Sequence, residues 1–433
     1  MAIDFGDLLT FYRAQVYENF VPYWMRQVDG EHGGVLNCLD NRGETLLHEH
    51  KFVWSHGRFA WQMSRLYEVS EGEVPDDIRA SYREAAAGTA RLLMEHARLQ
   101  NGNCAFVLSR DGRPIMLDDD GAERDIRDGE GYDYSISADD FAAYGVQEFA
   151  RVMHDEEAYA WAKSLFKSIH RRIADGTARR DYPYPPIPGY RGHRMGHVEE
   201  AGEMARTAAA FEDLYANELN VMAVECHDEV LDRFVQPDGL MHERLGTDYR
   251  PVDTLVGRYV NPGHTLECMW FLLHQALRGN KRSAIPRCAE VARATCETAW
   301  DEDLGGIPQF MDCEGGQPRG DLPGEFDDHP MIVKLRTLWD KKLWWPHSEA
   351  LYLLLLIHEL TGEDWALEWY QRFHDYSFAT FPHPDPAVGE WIQIRNVKGE
   401  PEDAVVALPV KDPMHIVRAF IHIIACLKRL TAT

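Results

Sequence analysis

Two short segments of this chain repeat one order of residue types, Asn261-Pro262-Gly263-His264 and Asp412-Pro413-Met414-His415. In each, an Asn or Asp that can cap a helix precedes a proline, which is tolerated at the first helical position, and then a histidine. A histidine there lies near the positive end of the helix dipole, which disfavours imidazolium and predicts a neutral ring near pH 7. A neutral imidazole can act as a general base, so His264 and His415 are candidate proton-transfer groups. The alternative is that both histidines simply pack near helix starts.

An arginine and a pair of tryptophans also stand near predicted helix starts. Arg58 follows Trp54 by four residues, and a buried arginine there needs an anionic or oxygen-rich partner, either a ligand or one of the chain's own acids. Trp344 and Trp345 enter a helix ahead of Glu349. Aromatic faces stack on the C–H face of a sugar and carboxylates bind its hydroxyls, so this pattern suits sugar recognition, with core packing as the alternative.

A third histidine cluster, residues 192–199, contains His193 and His197 near the start of an apolar helix, where each histidine alone is more typical of a structural role. Possible metal ligands occur at residues 48–50 (His-Glu-His) and at His264 with Glu267, which lie on one helix face. No HExxH, EF-hand, phosphate-loop or dinucleotide-binding motif occurs. The sequence therefore predicts neither a metal nor a cofactor.

Composition excludes several classes of protein. The 433 residues carry a formal net charge of −26 and no basic run, which argues against a nucleic-acid partner. None of the eight cysteines forms a CxxC pair. The N-terminus has no basic region before an apolar run, and the longest apolar stretch, 351–357, is too short to span a bilayer. We expect a cytoplasmic protein without a membrane partner, and a homodimer is possible.

Apolar residues recur with helical spacing in about twelve segments, and no linker divides them, so we expect one catalytic domain over 1–433. The predicted helices are 5–27, 51–69, 77–98, 138–153, 155–174, 197–215, 217–235, 262–278, 284–300, 347–360, 363–376 and 413–430. Five segments between them read as β-hairpins, starting at Gly33, Asn103, Gly239, Gly305 and Gly389. The double gap after the second hairpin indicates one altered repeat, near the Pro-rich stretch that begins at Asp181.

Units of two helices and a hairpin cannot bury their apolar faces alone. Six such units can close into an all-α (α/α)6 barrel, with one helix of each pair inside. An open solenoid is the alternative, but it needs polar capping repeats at its ends. The first predicted helix is rich in aromatic residues, which favours closure.

Together these motifs resemble the N-acylglucosamine 2-epimerase superfamily of sugar epimerases and isomerases across essentially the whole chain. The matching stretches are residues 51–58 (KFVWSHGR), 135–151, 257–270 (with NPGH), 301–307, 342–351 (KLWWPHSEAL), 373–391 and 408–415. NPGH with a downstream Glu is quite specific when combined with WWPHSEAL.

The resemblance implies an (α/α)6 barrel with its sugar site at one mouth. It implies that His264 and His415 are the acid/base pair and that Arg58 and Glu267 help to hold the open-chain sugar. The remaining residues implied to be catalytic or to bind the sugar are His197, Trp345, Glu349, Trp391, Asn261 and His56. His197, His56 and Asp412 depart from the pattern of the N-acylglucosamine branch, which weakens the prediction of an N-acetylated substrate.

The expected reaction is removal of the C2 proton of an open-chain sugar by one histidine, an enediolate stabilised by Arg58, and return of a proton by the other. One neutral and one charged histidine predict a bell-shaped pH–rate profile. Return of the proton to C2 gives the epimer, and return to C1 gives a ketose, so an aldose–ketose isomerase is an alternative. Two further alternatives are a glycoside hydrolase on the same barrel, which needs two flanking carboxylates, and a sugar-binding protein without turnover.

Overall fold

The computed structural model describes residues 3–118, 120–182, 184–322 and 326–432, and the chain there is mostly helical. Its α-helices are α1 (Phe5–Ala14), α2 (Val21–Arg26), α3 (Val53–Val69), α4 (Asp76–Leu92), α5 (Ile136–Met153), α6 (Glu156–Ala174), α7 (Met195–Ala210), α8 (Tyr215–Glu229), α9 (Leu255–Arg258), α10 (Pro262–Arg278), α11 (Ile285–Ala299), α12 (Pro330–Thr337), α13 (Trp344–Thr361), α14 (Asp364–Thr380) and α15 (His415–Thr431). A π-helical stretch, Gln15–Phe20, joins α1 to α2, and two others, Leu93–Ala97 and Val230–Phe234, extend α4 and α8.

Six helices form a closed inner ring in the order α3, α5, α7, α10, α13 and α15, because each contacts the next and α15 returns to α3. An outer helix packs on each of them: α4 on α3, α6 on α5, α8 on α7, α11 on α10, α14 on α13, and α1 on α15. The last of these pairs joins the two ends of the described chain. The predicted (α/α)6 barrel is thereby confirmed.

Burial explains which helix of a pair lies inside. Helix α13 is buried on all sides along 346–357, as expected for a helix enclosed by protein. Helix α6 buries a single stripe, Ala158, Tyr159, Ala162, Leu165, Phe166 and Ile169, at the three- and four-residue spacing of one helix face. Its remaining positions are mostly polar and face solvent.

Short strands gather at the end of the barrel where the inner helices begin. They are β1 (Lys51–Phe52), β2 (Val107–Leu108), β3 (Met116–Leu117), β4 (Glu123–Arg124), β5 (Tyr190–Gly192), β6 (Arg244–Gly246), β7 (Tyr259–Val260), β8 (Met311–Asp312), β9 (Lys342–Leu343) and β10 (Ile394–Arg395). The antiparallel pairs β1–β2, β5–β6, β7–β8 and β9–β10 each join the entry to an inner helix with the exit from its outer partner.

Three of the predicted hairpins are present as short antiparallel bridges that close a turn, Leu39 with Leu46, Leu108 with Pro114, and Arg395 with Pro401. The longer pairs between distant connections were not predicted. Only β3–β4 is a hairpin among these named strands. The altered repeat near Asp181 has a single bridge, Ser135 to Arg180, at the corresponding place. At the sixth place the Lys411 N–H donates to the Asn37 carbonyl over 2.8 Å.

Two buried lysines anchor equivalent loops in two of the repeats. Lys51 Nζ lies 3.0 Å from an Asp29 carboxylate oxygen and donates to the Gly33 carbonyl over 2.7 Å. Lys342 Nζ makes the same two contacts, to Asp301 at 2.9 Å and to the carbonyl of Gly305. This internal repeat fixes the loops beside the starts of α3 and α13.

Ion pairs fill the barrel toward the C-terminal ends of the inner helices. The buried Glu148 carboxylate lies 3.2 Å from Arg65, 2.9 Å from Arg151 and 2.7 Å from Arg206. Arg278 pairs nearby with Glu199 and Glu203, at 3.1 and 3.2 Å. These groups form a charge belt that ties α3, α5, α7 and α10 together.

No helix in the described ranges is long and apolar enough to cross a membrane.

Candidate active site

Both predicted caps form at the starts of α10 and α15. The side-chain oxygen of Asn261 accepts the His264 backbone N–H at 3.1 Å. Asp412 Oδ2 accepts the N–H groups of Met414 at 3.2 Å and His415 at 2.9 Å. The two starts differ, since α10 begins at Pro262 but α15 only at His415. Asn261 is buried and its oxygen is occupied by the backbone, so it acts as a cap rather than as the predicted sugar ligand.

His264 faces a carboxylate that the dipole argument did not foresee. Its Nδ1 lies 3.1 and 3.2 Å from the two oxygens of the buried Glu243, and its side chain is 40% exposed. Burial opposes a charged ring, but the Glu243 carboxylate outweighs it and raises the pKa of His264 above its ordinary value. The Glu243 carboxylate therefore acts against the helix dipole, from which a neutral ring was expected. Since an ionised carboxylate only accepts hydrogen bonds, Nδ1 carries a proton and Nε2 is left to exchange one.

His415 is held in a similar way by a different acid. Its Nδ1 lies 2.8 Å from Glu349 Oε1, which also accepts from Arg418 over 2.7 Å. The other oxygen of Glu349 accepts the indole N–H of Trp270 at 2.8 Å. Burial alone would raise the pKa of Glu349, but Arg418 and His415 lower it. Glu349 is fully buried with both oxygens bonded, so it positions His415, and its predicted place in the sugar pocket stays a prediction.

Arg418 is a central residue that sequence reasoning missed. Besides Glu349 it pairs with Glu267, and its guanidinium lies 5.0 Å from the centre of the Trp270 ring. Burial disfavours its charge, but the two glutamates raise the pKa of Arg418 well above its ordinary value. The available signal was an arginine three residues after His415 in an otherwise apolar helix face.

Trp345 lies between the two histidines, as a residue that touches a substrate held by both would. The centre of its ring system is 5.4 Å from the His264 ring and 5.5 Å from the His415 ring. The approach depends on Gly263, because a Cβ there would stand 2.5 Å from an atom of the indole. The glycine of the NPGH segment thus has a steric reason.

Arg58 joins this group through the cap of α15. Its Nη1 lies 3.1 Å from Asp412 Oδ1, while the other oxygen of Asp412 caps the helix of His415. The guanidinium also lies 4.3 Å from the centre of the Phe141 ring and 5.3 Å from that of Trp54. Burial lowers the pKa of Arg58, with the charge of Asp412 opposing this. The predicted His264, His415, Arg58, Glu267 and Trp345 therefore belong to one connected site.

Comparison with known proteins agrees with this geometry. The family described as N-acylglucosamine 2-epimerase (GlcNAc 2-epimerase) matches residues 34–419. The chain belongs to the N-acylglucosamine 2-epimerase family. By family it is therefore a sugar 2-epimerase, and sugar 2-epimerases are isomerases.

Relatives and solved structures extend the similarity over nearly the whole chain. The N-acylglucosamine 2-epimerase of Mus musculus is 28% identical over 420 residues, which cover 93% of this chain and 88% of that protein. The cellobiose 2-epimerase structure from Bacillus thermoamylovorans B4167 has a TM-score of 0.74 at 17% identity and covers 97% of this chain and 99% of its own. A D-mannose isomerase structure has a TM-score of 0.69 at 16% identity, over 96% and 97%. The two structures share the fold.

Of the histidine cluster in this family member, His193 rather than His197 meets the proton-transfer residues. His193 Nε2 lies 3.3 Å from a Glu243 oxygen, and its ring centre is 6.3 Å from that of His264. His197 stands at the start of α7, 3.7 Å from Glu200, and burial lowers the pKa of its ring to about 3. In the described ranges no direct contact joins His197 to His264 or His415, so its catalytic role stays a prediction.

Two other predicted sugar ligands of this family member are buried and bonded within the protein, and their roles in sugar binding stay predictions. His56 is buried, with Nδ1 donating to the Phe52 carbonyl at 2.9 Å and Nε2 accepting the Val35 N–H at 3.3 Å. Burial lowers the pKa of His56 to about 4, so the ring is neutral. Trp391 is 2% exposed and packs against Phe381, with ring centres 5.3 Å apart. Composition alone does not separate a core indole from one in a pocket.

In the part of the chain that the structure describes, three sets of side chains could hold a metal ion: His193, Glu243 and His264; Glu267, Glu349 and His415; and Asp238, His242 and Cys313. The first two belong to the site described above. Ligand atoms of Asp238, His242 and Cys313 lie within 4.8 Å of one another. Both ring nitrogens of His242 already have partners, Asp238 at 2.9 Å and the Gly257 carbonyl at 3.2 Å. His264 and Glu267, predicted as possible metal ligands on one helix face, have different partners. Glu243 faces His264, and Arg418 faces Glu267.

Proposed function

We propose that the protein interconverts the C2 epimers of an open-chain aldose or N-acylhexosamine through an enediolate, with His264 and His415 transferring the protons. The observation that carries this proposal is the placement of Trp345 between two histidine rings, each held at Nδ1 by a glutamate. Each ring is thereby left with one nitrogen for proton exchange, and the indole offers a flat face to a sugar held between them.

The two glutamates divide the roles of the histidines. Glu243 faces His264 and His193, so its charge stabilises an imidazolium at His264. Glu349 shares its charge with Arg418, so less of it acts on His415. We therefore assign His415 as the base and His264 as the acid for one direction of the reaction, with the roles exchanged in the other.

The two histidines supply and remove the protons of the reaction, and Arg58 stabilises the charge that forms. His415 takes the C2 proton, which the C1 aldehyde acidifies, and the electron pair passes to O1 as the enediolate forms. The buried Arg58 guanidinium stabilises that negative charge. His264 then gives its proton to the opposite face of C2, which yields the epimer. Protonation at C1 instead, with the O2 proton passing to O1, would give the ketose of an aldose–ketose isomerase.

A glycoside hydrolase fits the site less well. Such an enzyme needs a carboxylic acid that keeps its proton near neutral pH. The four acids around the site face cations instead: Glu243 faces histidines, Glu267 and Glu349 face Arg418, and Asp412 faces Arg58.

Proton NMR in D2O tests the proposal with mannose, glucose, N-acetylmannosamine and N-acetylglucosamine. We expect deuterium at C2 with formation of the epimer, and loss of both in His264→Asn and His415→Asn. His242→Asn, which changes a buried histidine outside the site, should retain activity. Ketose formation would favour the isomerase, and unchanged exchange in either active-site variant would overturn the roles of the histidines.

The proposal includes the setting of the enzyme. We place it in the cytoplasm, since its eight cysteines are free thiols and seven of them are buried, which suits a reducing compartment. We regard the chain as one catalytic domain with a sugar as its small-molecule substrate and without nucleic-acid or membrane partners. A homodimer remains our expectation.

A further inference from the structure

Three connections between helices meet above the end of the barrel that holds the site. They are the Pro-rich segment 184–189 with Tyr182, the helix α12, and the segment 404–408 that leads to α15. We call these three parts the roof. The Pro-rich segment is a feature of the sequence that the proposed reaction does not use.

Side-chain hydrogen bonds fasten the roof to two backbone carbonyls. Tyr184 donates its hydroxyl to the Val406 carbonyl at 3.1 Å, and Tyr182 donates to that of Ala407. Lys334, on α12, donates to the same Val406 carbonyl at 2.7 Å and to the Tyr184 hydroxyl at 3.0 Å. One carbonyl thus receives donors from both other parts of the roof.

Apolar packing supports these bonds. Ile187 of the Pro-rich segment belongs to a buried cluster with Met331, Ile332 and Leu335 of α12. His329, which caps α12, also approaches the Pro185 carbonyl at 3.0 Å. The Pro-rich segment and α12 are therefore packed together as one layer.

The order of helices in the ring shows where this layer lies. The Pro-rich segment enters the ring between α5 and α7, whereas 404–408 enters it between α13 and α15. In a ring of six these two entry points are diametrically opposite. Their direct hydrogen bonds therefore require the connections to extend over the mouth, above the helix starts that carry His264 and His415.

We propose that the roof restricts the enzyme to single sugars, so that an aldose or N-acylhexosamine is accepted and a disaccharide with its second sugar on O4 is rejected. This inference rests on the function proposed above. The reacting C1 and C2 must reach the histidines at the helix starts, which turns the C4 end of the sugar toward the mouth. A second sugar on O4 would then occupy the space of the roof.

The test compares kcat/KM for deuterium exchange at C2 between sugars that differ only by the second ring, glucose against cellobiose and N-acetylglucosamine against its β-1,4 dimer. For the unaltered protein we expect the single sugar of the active pair to be preferred by at least about tenfold. Tyr184→Phe and Lys334→Met each remove bonds to Val406 and should raise the relative rate of the disaccharide by about threefold to tenfold.

Tyr190→Phe is the matched control. Its hydroxyl bonds to Thr254 at 2.6 Å, on the connection to the neighbouring inner helix, so it does not cross the mouth, and the ratio should stay unchanged. Exchange of the disaccharide as fast as that of the single sugar would overturn the inference while leaving the epimerase proposal intact. An equal ratio in all three variants would also overturn it. No exchange with any of the four sugars would overturn the proposed function and the inference together.

Discussion

At the scale of single residues, the charges around each histidine matter more than its place on a helix. His264 meets Glu243 without an arginine between them, whereas the acid of His415 is shared with Arg418. Glu243 is buried, and the charges of His264 and His193 hold its pKa well below the ordinary value although burial opposes this. The charge on the proton donor is therefore set by a residue on a different segment of the chain.

Glu243→Gln should lower the pKa of His264, because it removes the carboxylate that stabilises the imidazolium. The limb of the pH–rate profile on which His264 loses its proton should move to lower pH. The profile of kcat/KM for C2 exchange measures this shift. Asp238→Asn removes a carboxylate from the nearby His242 and should leave the limb in place. A limb that moves to higher pH in Glu243→Gln would contradict the assignment.

His56 should make stability depend on pH. Its pKa is about 4 in the folded protein and near 6.5 in an unfolded chain, so the unfolded state binds more protons between these values. The free energy of unfolding should fall as pH is lowered through that window, by up to roughly 3 kcal/mol from this ring. Urea unfolding of His56→Gln, whose amide can replace both hydrogen bonds, should show a weaker loss between pH 7 and 5. A pH dependence of stability that is unchanged in His56→Gln would contradict the contribution assigned to this ring.

At the scale of elements, two inner helices begin with the same pair of residue types, a glycine followed by a histidine. Gly263 on α10 and Gly196 on α7 both directly precede a histidine. Only Gly263 is tightly packed, since a Cβ on Gly196 would meet nothing nearer than 3.7 Å. The two similar sequence motifs therefore pack differently at the starts of α7 and α10.

Gly263→Ala should push Trp345 away from the histidines and lower kcat/KM, because the added methyl group would overlap the indole. Overpacking of this kind costs about 1–3 kcal/mol, which corresponds to a decrease of roughly tenfold or more if it acts on the transition state. Steady-state kinetics measures the loss, and a change in tryptophan fluorescence reports the moved ring. Gly196→Ala should change kcat/KM little. Equal losses in both variants would show that packing against Trp345 is not the cause.

The sequence predicted elements that depend on local pattern better than those that depend on distant partners. The helix ranges and both caps follow from spacing along the chain, and His264, His415 and Arg58 come together as expected. The long-range strand pairs were not predicted, because β1 and its partner β2 lie on either side of two helices. Glu243 carries no local signal in the sequence, because its contact with His264 joins residues 21 positions apart.

At the scale of the whole molecule, the charge belt and the site lie at opposite ends of one barrel. Glu148 is shared by three arginines from three helices and is fully buried. Glu148→Gln should leave these cations without their common anion and lower the free energy of unfolding by about 3–5 kcal/mol. Urea denaturation measures this. Glu297→Gln, which breaks an exposed pair with Arg293 at 2.8 Å, should cost less than about 1 kcal/mol, and similar losses in both would refute the special role of the belt.

The pairing of α1 with α15 also dictates when the protein becomes complete during synthesis. The aromatic face of the first helix is covered by the last, with ring centres of Tyr12 and Phe420 4.8 Å apart. A ribosome that has reached Asp412 has not yet made α15, so α1 is without its packing partner until that helix is made. His415 arrives with that same final helix. A chain that lacks α15 therefore has neither a closed ring nor the second histidine that we propose to transfer protons.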